Sequence, residues 1–285
     1  MRIAVLGSVN LDLVARVTHL PRPGETVGEA TLARHPGGKG ANQALAARRL
    51  GAEVQLLAAV GADGAADEAL ALLRADGVAL DWLQVAGATP TGIALIAVDA
   101  AGENQIVVAP GANAGLILPQ PAAFAGCDAL IGVLEAPVPT VAAAVRAFPG
   151  FVALNLAPAL PVPADVVARA DLIIVNETEL EAQGRALLDR TGLTALTLGA
   201  AGAELWQGGS RIAACAPPQV PVVDTVGAGD TFVAAITVAL VAGLAPAAAL
   251  RFACAASALA VTREGAQPSL PWRGEVDALV ARSDW

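Results

Sequence analysis

The sequence has few aromatic residues, almost no methionine or lysine, and few charges for its length. Its 285 residues include 4 Trp, 5 Phe and no Tyr, and Met1 is the only methionine. Charged residues make up 15 % of the chain and hydrophobic residues 55 %, a balance that excludes disorder for the bulk of the chain. The length suits one large α/β domain or two small ones, with room for a sizeable core.

Cysteine is also scarce. Cys127, Cys215 and Cys254 are far apart and form no C-x-x-C pair. This pattern excludes a disulfide framework and a zinc site. It predicts buried thiols in a reducing compartment, so we expect a cytoplasmic protein.

Clustered positive charge is missing as well. The chain has 17 basic and 26 acidic residues, a formal net charge of −9 and a sequence pI of about 4.7. The arginines are scattered, so the sequence does not predict a nucleic-acid-binding surface. An anionic ligand must be held by local backbone N–H groups against this overall negative field.

No long apolar run is suited to a membrane. Residues 231–250 carry no charge, but Gly243 and Pro246 interrupt them. We predict a buried helix that ends near Gly243 and a second helix that begins at Pro246, with no membrane span.

Short apolar runs alternate with segments of helical spacing. We predict helices over 39–50 and 63–76, closed by Gly51 and Gly77. The predicted strands, each apolar on both faces, cover 2–6, 54–60, 129–133, 152–156, 172–175 and 194–198. Such strands, separated by helices, predict an α/β fold of three layers, with a mostly parallel sheet and helices on both faces. We expect one domain over 1–285.

Two segments, about 11–36 and 89–108, lack a helical period. The second contains a predicted hairpin, with strands over 92–98 and 104–108. Inserted beside a parallel sheet, these segments predict a small β lid. Its open edge favours pairing with a second subunit as a homodimer.

The strongest motif is D-T-V-G-A-G-D-T-F at 224–232. A predicted strand over 220–223 leads into a Gly-rich turn that begins a long apolar helix. The N–H groups of Gly227, Ala228 and Gly229, with the helix dipole, are suited to an anion hole for a transferring phosphoryl group. From these residues alone, Asp230 is either a general base for an attacking hydroxyl or an N-cap.

Several motifs in one order resemble the ribokinase-like family of carbohydrate kinases. D-T-V-G-A-G-D-T-F resembles its C-terminal signature, and G-G-K-G-A-N-Q at 37–43 its N-terminal one. N-E-T-E at 176–179, T-L-G-A-A-G at 197–202 and A-V-T-R-E-G-A-Q-P-S at 260–269 also match. The likeness covers nearly the whole chain.

The resemblance implies ATP-dependent phosphorylation of a sugar, most closely D-ribose at O5, with Asp230 as the general base. Six positions match those that hold or enclose the sugar in that family: Asn10, Asp12, Gly38, Lys39, Asn42 and Glu135. Lys39 is the only lysine among the 17 basic residues. A compact ammonium there is suited to neutralising phosphate charge where the planar fork of arginine does not fit.

The same resemblance implies ATP and two kinds of metal ion as partners. The expected ATP-binding positions are Asn176, Thr197, Gly199, Gly202, Gly229 and Cys254. Glu179 would organise Mg²⁺ through water. A K⁺ site is implied at Asp224, Val226, Ala260, Arg263, Gly265 and Ser269. The plainer interpretations are a helix N-cap at Asn176 and a surface turn over 260–269.

The chain departs from the family pattern at two places near the nucleotide. The segment over 180–193 is shorter than is usual in the family, and Cys254 occupies a position where a polar residue is common. Two alternatives stay open: a kinase of the same fold for deoxyribose, fructose, a 2-keto-3-deoxy sugar acid or a nucleoside, and a non-catalytic sensor of a sugar or nucleotide.

Overall fold

A computed structural model describes residues 1–118 and 120–282. Its strands are β1 (Arg2–Leu6), β2 (Asn10–Arg16), β3 (Thr31–Gly37), β4 (Glu53–Leu57), β5 (Ala59–Gly61), β6 (Gln84–Ala86), β7 (Gly92–Val98), β8 (Asn104–Ala109), β9 (Ala129–Val133), β10 (Phe151–Asn155), β11 (Leu172–Asn176), β12 (Leu193–Thr197), β13 (Ala203–Gln207) and β14 (Ser210–Cys215). They form sheets of eight, four and two strands.

The large sheet has the order β14-β13-β12-β11-β10-β9-β1-β4. The six strands from β12 to β4 pair in parallel, and β13 and β14 add an antiparallel end. The predicted mostly parallel sheet is therefore confirmed.

Helices cover both faces of this sheet. They are α1 (Lys39–Arg49), α2 (Gly64–Ala69), α3 (Ala71–Ala75), α4 (Val138–Ala147), α5 (Ala164–Arg169), α6 (Glu177–Gln183), α7 (Ala228–Val241), α8 (Pro246–Ala260), α9 (Ala266–Ser269) and α10 (Arg273–Val280). Alternate residues of a strand enter two separate cores: Ile3 and Val5 pack with α1, α7 and α8, whereas Ala4 and Leu6 pack with α4, α5 and α6. Burial on both sides explains why these strands are continuously apolar.

The four-stranded sheet has the order β3-β2-β7-β8 and forms the predicted lid. Strands β7 and β8 are the predicted hairpin, and β2 runs parallel to β7. Arg16 on β2 reaches Glu264 near the C-terminal end of α8 at 2.6 Å, so the lid contacts the loop that follows this helix.

Three predicted elements differ from the structure. The predicted strand over 220–223 is wrong: the segment is irregular, and Val222 and Val223 are 66 % and 62 % exposed. Prolines at 217, 218 and 221 remove the N–H donors that a strand needs. The predicted strand over 54–60 is two strands in different sheets, and the predicted helix over 63–76 is broken at Leu70 into α2 and α3.

The apolar segment near the C-terminus is two helices, α7 and α8, divided between Gly243 and Pro246 as predicted. Among the described residues, no helix is long and apolar enough to cross a membrane. The three cysteines are free thiols, and Cys254 alone is fully buried.

Candidate active site

The polar groups converge where the parallel strands end and α7 begins. Asn155 ends β10, Asn176 ends β11 and Thr197 ends β12. Together with Asp230 they line a cavity of about 230 Å³. The carboxyl edge of a parallel sheet is where open α/β folds bind their ligands.

Asp230 lies in the first turn of α7 with only 8 % of its surface exposed. Asn42 donates from Nδ2 to its Oδ2 at 2.9 Å, and Gln43 donates from Nε2 to its Oδ1 at 3.0 Å. The N-cap of α7 is Gly227, whose φ of 80° suits glycine. The N-cap interpretation of Asp230 is therefore wrong, and its carboxylate faces the polar residues of α1.

Lys39, the lone lysine, is the first residue of α1 and lines the same cavity as Asp230. The Asp230 carboxylate raises the pKa of Lys39, with smaller contributions from Glu135, Glu179 and Asp12, although burial opposes them. The ammonium therefore stays charged in the site. The lysine is placed there by Gly38, the N-cap of α1, which has a φ of 88°.

Two further carboxylates face Lys39 and Asp230. Burial, together with Glu135 and Asp230, raises the pKa of Asp12 to about 7, and Lys39 partly counteracts this. Glu135 accepts hydrogen bonds from the Lys39 backbone N–H at 3.0 Å and from the Ser8 hydroxyl. These carboxylates concentrate negative charge in this part of the site. A neutral polyol can bind beside them, whereas charge repulsion disfavours an anionic sugar.

Asn10 is held by Asn113, a residue that no sequence motif indicated. Asn113 donates from Nδ2 to Asn10 Oδ1 at 2.8 Å, and it also bonds the backbone of Val9 through both ends of its amide. Both asparagines are buried. Sequence reasoning did not select four supporting residues: Ser8, Gln43, Asn113 and Asn155. Gln43 carried a signal, because it ends the G-G-K-G-A-N-Q motif.

A larger cavity of about 420 Å³ lies on the other side of the G-A-G-D turn. Five of the predicted ATP-binding residues line it: Thr197, Gly199, Gly202, Gly229 and Cys254. The sixth, Asn176, lines the smaller cavity instead. Thr197, Thr225 and Gly229 line both cavities, so the turn separates two adjoining compartments.

Asn176 and Glu179 form a reciprocal cap at the start of α6. The Glu179 N–H donates to Asn176 Oδ1 at 2.8 Å, and the Asn176 N–H donates to Glu179 Oε2 at 2.9 Å. The predicted N-cap is therefore present. Glu179 also lines the smaller cavity, and burial raises its pKa. A partly buried carboxylate beside this cavity is suited to binding a hydrated Mg²⁺.

The predicted K⁺ positions lie in two loops that Asp224 joins. Its Oδ1 accepts from the Val226 N–H at 3.0 Å, and its Oδ2 accepts from the Gly265 N–H at 2.9 Å. Ala260 ends α8, and Ser269 donates from Oγ to the Ala266 carbonyl. A carboxylate keeps further lone pairs after two such bonds, so this donor set fits a weakly held cation.

Two contacts fix the second of these loops to the rest of the protein. The Arg263 guanidinium pairs with Glu275 in α10. Arg49, at the end of α1, donates from Nη1 to the Gln267 and Leu270 carbonyls, both at 2.9 Å. Helix α1 therefore supports the loop from behind.

The N-terminus of α7, the buried carboxylate of Asp230 and two adjoining cavities are the parts of a phosphoryl-transfer site. The sequence profile of the family described as "pfkB family carbohydrate kinase" matches residues 1–273. The chain belongs to this family of carbohydrate kinases.

Several relatives match this chain over nearly the full length of both proteins. The chain is 37 % identical to a ribokinase of Bacillus subtilis, over 98 % of this chain and 99 % of the relative. It is 33 % identical to a deoxyribokinase of Salmonella typhimurium, over 95 % and 96 %. A solved structure of Arabidopsis thaliana ribokinase complexed with ribose and ATP matches with a TM-score of 0.88 and 31 % identity, over 99 % of both chains.

Proposed function

We propose that this chain transfers the γ-phosphoryl group of ATP to O5 of D-ribose. The observation that carries the proposal is the position of Asp230. It is a buried carboxylate at the start of α7, at the junction of a small polar cavity and a larger cavity of nucleotide size. The ribokinase relatives and the neighbour with ribose and ATP support the same substrates.

The chemistry follows from the residues around Asp230. Its carboxylate takes the proton of the sugar hydroxyl as that oxygen attacks the γ-phosphorus, and ADP leaves in line. The N–H groups of Gly227, Ala228 and Gly229, with the α7 dipole, stabilise charge on the phosphoryl oxygens. Lys39 supplies a compact positive charge beside them.

A neutral sugar suits the polar residues that lie beside Lys39 and Asp230 and are not part of the lining of the smaller cavity. Asn10, Asn42, Asp12 and Glu135 offer donors and acceptors for several hydroxyls. Asn42 Oδ1 is buried and has no hydrogen-bond partner among the described residues, so a sugar hydroxyl would satisfy it. The two carboxylates disfavour a sugar acid. Deoxyribose is the second candidate, because a deoxyribokinase is among the relatives.

Two metal ions complete the proposal. Glu179, with Asn176, would hold Mg²⁺ through water, where the ion neutralises phosphate charge when ATP is bound. The carboxylate of Asp224, with carbonyls from Val226, Ala260, Arg263, Gly265 and Ser269, would hold K⁺. Because Asp224 already joins the two loops, a cation there would stiffen the turn that carries Asp230.

We also propose a homodimer formed through the lid. Strand β8 is an edge of the lid sheet, and Ile106, Val107 and Val108 on it are 55 %, 63 % and 49 % exposed. An exposed apolar edge strand favours pairing with a second copy. The cytoplasm stays the expected compartment, on the cysteine pattern of the sequence.

One assay tests the catalytic proposal. ADP release is measured with ribose, deoxyribose, fructose, a 2-keto-3-deoxy sugar acid and a nucleoside, each in K⁺ and in Na⁺. The proteins are the wild type, Asp230→Asn and, as a matched surface control, Asp277→Asn, whose carboxylate pairs with Arg273. We expect ribose to have the highest kcat/KM, K⁺ to exceed Na⁺, and Asp230→Asn alone to lose at least about 100-fold in kcat.

The outcomes separate the alternatives. Absence of turnover on every substrate would favour a sensor, and preference for another sugar would replace ribose. Turnover that survives in Asp230→Asn would remove the general base from the mechanism. Equal rates in the two salts would contradict the K⁺ proposal and leave the sugar kinase intact.

A further inference from the structure

The Asp230 carboxylate is held by two amides from consecutive residues of one helix. Asn42 bonds Oδ2 and Gln43 bonds Oδ1, at 2.9 and 3.0 Å. The terminal torsion of an aspartate is broad and roughly two-fold. Two donors on opposite oxygens therefore fix the orientation of the Asp230 carboxylate.

The two amides are not equivalent. Each has a buried side-chain oxygen with no hydrogen-bond partner among the described residues, and neither residue lines either cavity. Asn42 lies at a position that the family resemblance implies to contact the sugar, whereas Gln43 is completely buried. Because Gln43 has no exposed surface, a contact between Gln43 and the sugar is not expected.

Gln43 is itself anchored to the central sheet. The same Nε2 that binds Asp230 also donates to Asn155 Oδ1 at 3.2 Å, and Asn155 donates from Nδ2 to the Ile174 carbonyl at 3.3 Å. The two hydrogens of the Gln43 amide are thus both used. The chain of bonds runs from β11 through Asn155 and Gln43 to the carboxylate.

We propose that Gln43 is a positioning residue that fixes Oδ1 of Asp230, so that Oδ2 is the oxygen that takes the proton. On sugar binding, the Asn42 amide is shared with a hydroxyl and its hold on Oδ2 weakens, whereas the Gln43 bond to Oδ1 persists. This inference rests on the proposed role of Asp230 as the general base. It assigns a function to the last residue of the G-G-K-G-A-N-Q motif, which touches no substrate.

The test compares Gln43→Met with Gln55→Met, a matched control. Gln55 is a glutamine of β4 that is 2 % exposed, donates to the Ala123 carbonyl and accepts from Arg2, outside both cavities. Both variants lose a buried amide of the same size. Steady-state kcat, KM for ribose and ATP, the pH profile of kcat and thermal unfolding are measured for each.

For Gln43→Met we expect kcat to fall by about 10- to 100-fold, since a misplaced reacting group costs rates of this order. KM should change by less than about threefold. The pH profile of kcat should differ from that of the wild type, because the general base has lost one of its two donors. The charged groups that face Asp230, which are Lys39, Asp12 and Glu179, are unchanged. Gln55→Met should keep the wild-type kcat and profile.

Gln43→Asn provides a second variant if Gln43→Met does not fold, because it keeps a polar amide but withdraws it by one methylene. A kcat within twofold of wild type in either folded variant, or a loss of kcat with an unmoved pH profile, would overturn the proposal. Addition of Asp230→Asn to each variant separates the two proposals. If the aspartate is the base, the double variant is no slower than Asp230→Asn alone; if Asp230→Asn itself turns over normally, the base role has failed instead.

Discussion

Asp12→Asn is expected to stabilise the substrate-free protein above neutral pH. Burial, Glu135 and Asp230 raise the pKa of Asp12 from 3.8 to about 7. Below about pH 4 the carboxyl is protonated in both the folded and the unfolded state and resembles an amide. Between about pH 4 and 7 the folded protein keeps a proton that the unfolded chain has lost. The stability that this residue contributes is therefore lost as pH rises through 7.

The size of the effect follows from the difference in pKa. One pKa unit corresponds to about 1.4 kcal/mol, so the difference from 3.8 sets a ceiling of about 4 kcal/mol above pH 7. Asp12 is only partly buried, and solvent screening reduces this to on the order of 2 kcal/mol. For a chain of this length, that corresponds to an increase of roughly 4–8 °C in Tm.

The assay is thermal unfolding of Asp12→Asn and wild type between pH 5 and 9 without ligands. We expect the difference in Tm to grow from pH 5 to about pH 7 and to level off above it. Asp67→Asn is the control, since its carboxylate is 76 % exposed beside Arg74. A Tm difference that is constant across this range, or a variant less stable than wild type at pH 8, would refute the reasoning.

Three other substitutions test separate parts of the structure. Lys39→Arg should lower kcat by about tenfold or more, because a planar guanidinium cannot replace a compact ammonium in a closed site; wild-type turnover would show that the lysine is incidental. Gly37→Ala should raise the KM for sugar and lower Tm, since a Cβ there would lie 2.2 Å from Asp12 Oδ2; an unchanged KM would contradict this. Val107→Lys should give a monomer in sedimentation velocity with its fold intact, and a wild-type protein that is already monomeric would end the dimer proposal.

The central architecture was predictable from local patterns. Strands buried on both faces and helices closed by glycine gave β1, β9, β10, β11, β12 and α1 within one or two residues. The antiparallel strands β13 and β14 were missed because they lie at one end of the sheet and have mixed exposure. The apolar run over 220–223 predicted a strand because composition alone does not register how three nearby prolines remove backbone donors.

The residues of the site also divide into those that sequence motifs identify and those that only the fold reveals. Asp230, Lys39, Asn176, Glu179 and Thr197 belong to recognisable motifs, and they meet at one cavity. Residues that act by holding other side chains are harder to find, because their role exists only after folding. Asn113 bonds Asn10 and Val9 across more than 100 residues of chain, and no local spacing indicates such a contact.

Helix α1 contacts a different part of the site at each of its two ends. Lys39 begins it, and Asn42 and Gln43 hold Asp230 from its first two turns. Arg49 at its end donates to the carbonyls of Gln267 in α9 and of Leu270 directly after α9. At 11 residues it spans about 16 Å, and deletion of one residue within it would rotate one end by about 100° against the other. The length of this helix is therefore fixed by two sites at once, whereas the lid turn at 99–103 joins only two strands of one hairpin and can vary in length without moving either.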